Sequence, residues 1–176
     1  MLESCFKTGG MCSIGDLKTI PGQIYIGRPY KSPYSEYCKY GIVPAINSFG
    51  FSSWEAIEHH GRTDLLCKIC QGIQTSAAAV IDISEPSPNV HFELGILAGM
   101  SKPAILVKQV DKETPTDLQG MEIVEYSDAE ELSVELKKKI NGNRGNSVLL
   151  KNHSLSNVSI LLFGFIINVG IDKEQS

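Results

Sequence analysis

Between Asp82 and Gly99 the chain reads DISEPSPNVHFELGILAG, which places two carboxylates and an amide where chemistry is possible. Asp82 closes an apolar run, and Glu93 follows Asn89 by four residues, so on a helix the two share a face within the first two turns. A carboxylate on the edge of an apolar stripe can attack, or stabilise, the electron-poor C1′ of a ribosyl group as its N-glycosidic bond breaks. That transition state has oxocarbenium character, so a negative charge below the ring lowers its energy and brings a covalent glycosyl-enzyme within reach. Asn89 could hold a sugar hydroxyl. On spacing alone, Glu93 fits an ordinary solvated helix residue equally well.

Two arginines bear on the choice between nucleoside and nucleotide. Arg28 follows a strand-closing glycine, and Arg62 lies in the turn HHGRTD; both could reach a phosphate through bidentate hydrogen bonds, or equally make surface ion pairs of little energetic worth. Tyr30 and Trp54 could stack on a base, though a lone aromatic is more often packing. Cys67 and Cys70 fall inside a predicted helix and read as small buried hydrophobes, not as a redox pair at a helix start. A four-thiolate zinc site with Cys5 and Cys12 is disfavoured by the spacing of the first two, so no metal is expected. The adjacent His59 and His60 diverge, and His91 is expected to be exposed on a face other than that of Glu93. The chain contains neither a GxGxxG after a strand nor a GxxxxGK[ST], which disfavours Rossmann-style NAD binding and P-loop chemistry; no bound cofactor is called for.

The elements that must position these residues follow from periodicity. Gln23 to Ile26 is a short β-rich run closed by Gly27, and GRPYKSPYSE after it has the Gly and Pro content of a loop. Apolar residues from Ser35 to Phe49 recur at helical spacing, with a kink expected at Pro44. A weaker strand is expected over Gly50 to Ala56, then a helix capped by Asp64 with Leu66, Ile69, Cys70 and Ile73 on one face. Ala78 to Ile83 is continuous enough for a central parallel strand. The turn SEPSP leads into the helix NVHFELGILAGM, where Val90, Leu94 and Leu97 form the apolar stripe; Gly95 and Gly99 imply a close approach. AILVKQ and MEIVEY are the last strands, and Ser127 is expected to cap a final helix ended by Asn141-Gly142.

This order predicts an α/β fold: an open, parallel five-stranded sheet with helices on both faces, a flavodoxin-like or Rossmann-like three-layer sandwich. Loops leaving the carboxyl ends of Ile26, Ala56, Ile83 and Val107 would surround one crevice. With 176 residues and 42% hydrophobic content, one core is expected, over 23–141. Residues 1–22 form a lead-in segment, 142–157 a polar linker, and 158–176 an apolar terminal segment for packing or self-association. The run VSILLFGFIINVGI is shorter than the roughly 20 apolar residues of a membrane-spanning helix, so no membrane partner is expected. A net charge of −4 offers no broad positive field for a nucleic acid polymer. No secretory signal is legible, and the five cysteines form an odd set, so the expected compartment is the cytoplasm.

The series IYIGRPY, VPAI, GRTD, AAVIDIS and PNVHFELGILAGMSKPAILV resembles the nucleoside 2-deoxyribosyltransferase-like proteins and the related nucleotide-binding TIR-like domains. The resemblance spans about residues 23–140, and its most specific part is D-I-S-x-x-x-P-N-V-x-x-E-L-G. It implies that Glu93 is the catalytic carboxylate and that Asp82 is the strand-end aspartate. Gly27, Arg28, Pro29 and Tyr30 then form the first ligand loop. Arg62, Asp64, Ser84 and Asn89 complete the expected binding set. The transferases usually carry an acidic residue in the turn before the glutamate; Ser87, Pro88 and Asn89 stand there, which weighs against base exchange on deoxynucleosides. Hydrolysis of a nucleotide, or cleavage of NAD, fits as well. The resemblance also implies a homo-oligomer, with a small-molecule nucleoside or nucleotide as partner. A module that binds or senses nucleotides without chemistry is the alternative.

Overall fold

The computed structural model describes residues 5, 7, 9, 17–58, 64–145, 161–162 and 165–166. Five strands build the main sheet: β1 (Ile20–Gly27), β2 (Ser52–Trp54), β3 (Ser76–Asp82), β4 (Ala104–Gln109) and β5 (Ile123–Tyr126). Every neighbouring pair is parallel, and the order is β2-β1-β3-β4-β5. The chain steps outward from β1 to β2 and then crosses back to β3 on the other side of β1. That reversal makes the carboxyl ends of β1 and β3 the topological switch point of a flavodoxin-like sheet, where ligands bind. Gly27 and Ile81 are paired across it.

Side chains alternate between two cores, as the two-residue period of a strand requires. On one face Ile24, Ile26, Ala78, Val80, Val107 and Tyr126 pack with residues of α1 (Tyr34–Tyr37), α2 (Val43–Asn47) and α5 (Ala129–Gly145). On the other, Tyr25, Ala79, Ile81 and Leu106 pack with α3 (Leu65–Thr75) and α4 (Pro88–Gly99). β3 contributes to both cores, which explains its near-continuous apolar sequence. The fully buried Leu132 and Leu136 of α5 each stabilise the first core by roughly 2 kcal/mol.

Several local expectations change. The kink expected at Pro44 takes the form of a π-helical turn, Cys38–Ile42, between α1 and α2. A proline has no N–H to return to the carbonyl four residues back, and the wider turn ahead of it accommodates that loss. Asp128, not Ser127, caps α5: its Oδ1 accepts from the Glu131 amide at 2.8 Å, while Glu131 reaches back to the Ser127 amide at 2.8 Å. Asn141-Gly142 does not end the helix, which continues to Gly145. One glycine costs about 1 kcal/mol of helix propensity, too little to stop a helix anchored by Leu132, Leu136 and Ile140.

Leu161–Leu162 and Phe165–Ile166 pair as a separate two-stranded antiparallel ladder. The rest of the expected linker beyond Gly145, and of the apolar run, lies outside the described residues. Among the described residues no helix is long and apolar enough to cross a membrane.

Candidate functional site

Helix α4 begins at Pro88, whose fixed φ suits a first helical position, and its Glu93 side chain reaches Gly27 at the carboxyl end of β1. Its buried residues are Val90, Glu93 and Leu97, so Glu93 stands within the buried stripe. Leu94 is only partly buried. The spacing 90/93/97 obeys helical periodicity as well as 90/94/97 does, and a charged residue is not the natural choice for a core position. Glu93 nevertheless has 0% exposure.

Its surroundings are apolar and phenolic. A Cβ on Gly27 would overlap Glu93 Oε2 and come within 2.7 Å of Ile81 Cδ1, so only glycine leaves the carboxylate its place. Tyr30 Oη donates to Oε1 at a long 3.4 Å, while Oε2 meets no hydrogen-bond partner. The buried Tyr25 hydroxyl is likewise unpartnered. Tyr25 is near enough to Glu93 for its phenol to be the strongest influence favouring the charged carboxylate, although the pair falls short of hydrogen-bond geometry. Burial pushes the Glu93 carboxyl up to about 7, against the smaller opposing influence of the two phenols. Burial and the nearby carboxylate raise both phenols well above the usual range.

Tyr25 was not among the expected site residues, although the sequence carries its signal: it lies two positions before Gly27 on a strand and so shares its face. Trp54 stacks on Tyr25, with ring centroids 6.0 Å apart, and lies so close to α3 that a Cβ on Gly72 would overlap its indole. These contacts give Trp54 a packing role behind the site. The close approaches expected at Gly95 and Gly99 occur instead at Gly27 and Gly72; a Cβ at 95 or 99 would meet nothing within 4 Å, because that side of α4 faces outward.

Asp82 is on the opposite face of the sheet. Its Oδ1 accepts from the Ser84 amide at 2.9 Å and its Oδ2 from Tyr126 Oη at 2.7 Å. Ser84 Oγ lies 3.3 Å from the same Tyr126 hydroxyl and accepts from the Gln109 amide at 2.9 Å. Burial raises the Asp82 carboxyl, and these hydrogen bonds oppose the rise. Asp82 and Ser84 therefore meet each other and β5, but not Glu93. Their network shapes the turn from which α4 departs.

The first loop divides its labour. Arg28 Nε bonds Glu55 Oε2 at 2.9 Å in a buried ion pair, Nη1 donates to the carbonyl of the buried Pro29 at 3.3 Å, and the guanidinium lies 5.7 Å from the Tyr30 ring centroid. Glu55 also accepts from Cys38 Sγ at 3.0 Å, and burial pushes that thiol up. Neither Glu55 nor Cys38 had a signal in sequence spacing, since both depend on β2 docking beside β1. Asp64 caps α3, its Oδ1 accepting from the Cys67 amide at 2.9 Å, and it also pairs with Lys7. Asn89 is exposed in the first turn of α4, one turn before Glu93. His91 is half-buried, not exposed, because Nδ1 lies 2.9 Å from the Ser87 carbonyl oxygen. Cys67 and Cys70 are half-buried in α3. Arg62, His59, His60 and Cys12 lie outside the described residues. Among the described residues no cluster of three or more His, Cys, Asp or Glu could hold a metal ion.

Comparison with solved structures places this fold among known ones. The chain is similar to a CMP N-glycosidase of Clostridium botulinum, at 14% identity and a TM-score of 0.55, with 66% of this chain and 98% of that one covered. It is similar to the TIR domain of a Toll-related receptor of Hydra magnipapillata, at 17% identity and a TM-score of 0.56, covering 69% and 97%. A flavo di-iron protein of Thermotoga maritima matches at 13% identity and a TM-score of 0.51, over 73% of this chain and 37% of that one. No protein-family model matches the sequence, and no curated protein does. At these identities the likeness shows a shared flavodoxin-like α/β fold.

Proposed function

We propose that the protein cleaves the N-glycosidic bond of a nucleoside or nucleotide, with Glu93 as the carboxylate that meets the anomeric carbon. One observation carries this reading: at the β1/β3 switch point, a fully buried glutamate presents an oxygen that the protein leaves unpartnered. An unsatisfied buried oxygen costs roughly 1 to 3 kcal/mol, more when charged, so a ligand that completes it gives the cost a purpose. An electron-poor C1′ is such a ligand, provided that the residues covering the fully buried carboxylate move aside to admit it.

Glu93 Oε2 would attack C1′, or hold its developing positive charge, as the bond to the base breaks and its electron pair leaves with the base. Water then takes the sugar, and a proton returns to the base. Tyr30 keeps Oε1 oriented, and Gly27 leaves room for the carboxylate. Asp82 and Ser84 support the turn that delivers α4 and are positioning residues. The Arg28–Glu55 pair walls the first loop with no net charge, so its electrostatic pull on a phosphate is weak.

The test is release of free base from nucleosides, nucleoside monophosphates and NAD by the wild type and by Glu93→Gln. A loss of about a thousandfold or more is expected for at least one substrate class. Equal turnover by the two proteins would overturn the role of Glu93. Tight nucleotide binding with no base released by the wild type would replace catalysis with a sensing module.

A further inference from the structure

A second polar cluster stands at the carboxyl ends of the strands and is not used by the proposed chemistry. Three donors converge on Glu85 in the turn after β3. Tyr34 Oη donates to Oε1 at 3.1 Å, Lys31 Nζ lies 2.5 Å from Oε2, and Lys112 Nζ lies 3.9 Å from Oε1. Lys31 comes from the loop after β1 and Lys112 from the loop after β4, so the three loops meet at the carboxyl ends of the strands. Tyr34 is buried with only 2% exposure, which fixes its hydroxyl in direction. Other charged groups stand near: Asp111 is 3.9 Å from Lys112, Asp82 and Asp111 both act on the Tyr34 hydroxyl, and Lys108 Nζ donates to the Lys112 carbonyl at 2.6 Å.

Glu85 serves these groups unevenly, with Tyr34 and Lys31 at bonding distance and Lys112 farther away. Oε1 is shared between a phenol at bonding distance and an ammonium too distant for a good hydrogen bond. A phosphate monoester has three terminal oxygens and carries more charge, so each donor could take one oxygen. Lys31 follows Tyr30, which reaches Glu93, whereas Tyr34 packs on Tyr37 and through it on Tyr126, so the cluster stands at the same edge of the sheet as the glutamate but toward the Asp82 face. Glu85 is already partly open to solvent and can turn outward when displaced.

We propose that Lys31, Lys112 and Tyr34 form an anion subsite for the phosphate monoester of a nucleoside monophosphate, which Glu85 occupies in the free protein and yields on binding. The inference rests on the proposed function, with the nucleotide bound at the carboxyl ends of the strands near Glu93. It assigns the phosphate to these two lysines, since Arg28 is held by Glu55.

The experiment is calorimetric titration of the full chain with a nucleoside monophosphate, its nucleoside and inorganic phosphate, at two salt concentrations. Glu85→Gln should tighten the monophosphate several-fold, and the paired change Lys31→Gln with Lys112→Gln should lower the ratio of monophosphate to nucleoside affinity about tenfold or more. Tyr34→Phe should lower the ratio less, and restoring position 31 as Arg should recover part of the loss. Both lysines are partly exposed, so unchanged thermal unfolding is expected to show that the paired variant folds. An unchanged ratio in that variant, or unchanged affinity in Glu85→Gln, overturns the subsite. If inorganic phosphate alone follows the pattern, the site takes free phosphate and the nucleotide assignment fails. Base release is read separately, so the expected binding pattern without turnover would refute the glycosidase reading and leave the subsite standing.

Discussion

Asp82 and Glu93 are carboxylates of one segment, equally buried, on opposite faces of one sheet. Asp82 meets an amide on one oxygen and a phenol on the other. Glu93 has a long contact on one oxygen and none on the other, in a space that exists only because position 27 is glycine. Burial raises both carboxyls, so a shifted titration does not distinguish them. What distinguishes them is completion. A buried polar group that the fold satisfies serves architecture, and one that the fold leaves open is available to a ligand.

The largest effect that could break this contrast is the pH dependence of stability. The Glu93 carboxyl moves from an ordinary 4.5 to about 7 on folding, so the native state holds its proton more tightly than the unfolded chain. Its contribution is fully present below the ordinary value and is lost as pH rises through about 7, a cost approaching roughly 3 kcal/mol at alkaline pH. Glu93→Gln removes that charge. Urea unfolding should show the variant to be more stable than wild type at pH 8, with the difference shrinking toward pH 5. A destabilised variant at pH 8 would mean that the carboxylate is satisfied after all.

The same isosteric change at Asp82 should have the opposite sign. Both Asp82 oxygens accept, so in Asp82→Asn the amide oxygen can keep the Ser84 N–H while the NH2 turns to the Tyr126 hydroxyl, which must then accept and redirect its proton to Ser84 Oγ at a longer 3.3 Å. A loss of about 1 kcal/mol is expected in urea unfolding at neutral pH, since a short charge-assisted bond from Tyr126 is exchanged for a neutral one and a longer bond to Ser84. Equal signs for the two substitutions would collapse the distinction between the faces.

Much of this contrast was within reach of the sequence, and its decisive part was not. The strands, the parallel order and the Asp64 cap follow from apolar period and capping chemistry, which are local. Glu93 was legible as a candidate because it follows the most apolar strand in a helix rich in small residues. The sequence could not place Glu93 within the buried stripe, because 90/93/97 and 90/94/97 are both helical spacings. Nor could it separate Asp82 from the site: its partner Tyr126 is two strands away in the sheet, and only the order β3-β4-β5 brings them together. The sequence left Arg28 open between a phosphate contact and a surface ion pair for the same reason, since its buried partner Glu55 reaches it only once β2 docks on β1.

Gly27→Ala tests the space rather than the charge. The added methyl would overlap Glu93 Oε2 and crowd Ile81, so the carboxylate must turn or the strand must shift. Overpacking of this kind costs about 1 to 3 kcal/mol, and displacement of a reacting atom by about 1 Å can cost a hundredfold in rate. Base release should therefore fall further than stability does. A variant that keeps wild-type turnover would show that the carboxylate does not act from the place it occupies here.

The smallest expected effect is the finest test of what Tyr30 does. Its 3.4 Å hydrogen bond is at the weak end of the range, so Tyr30→Phe should change stability by no more than about 0.5 kcal/mol. The phenol nevertheless favours the charged form of Glu93, so its loss should move the titration of that carboxyl upward from about 7. The acidic limb of the pH profile for base release should shift to higher pH by a few tenths of a unit, with little change in the plateau, if Tyr30 acts only through the glutamate. A fall in the plateau without a shift would instead mean that the hydroxyl touches the substrate, making Tyr30 a binding group and leaving Glu93 with apolar neighbours and Tyr25 alone to set its charge.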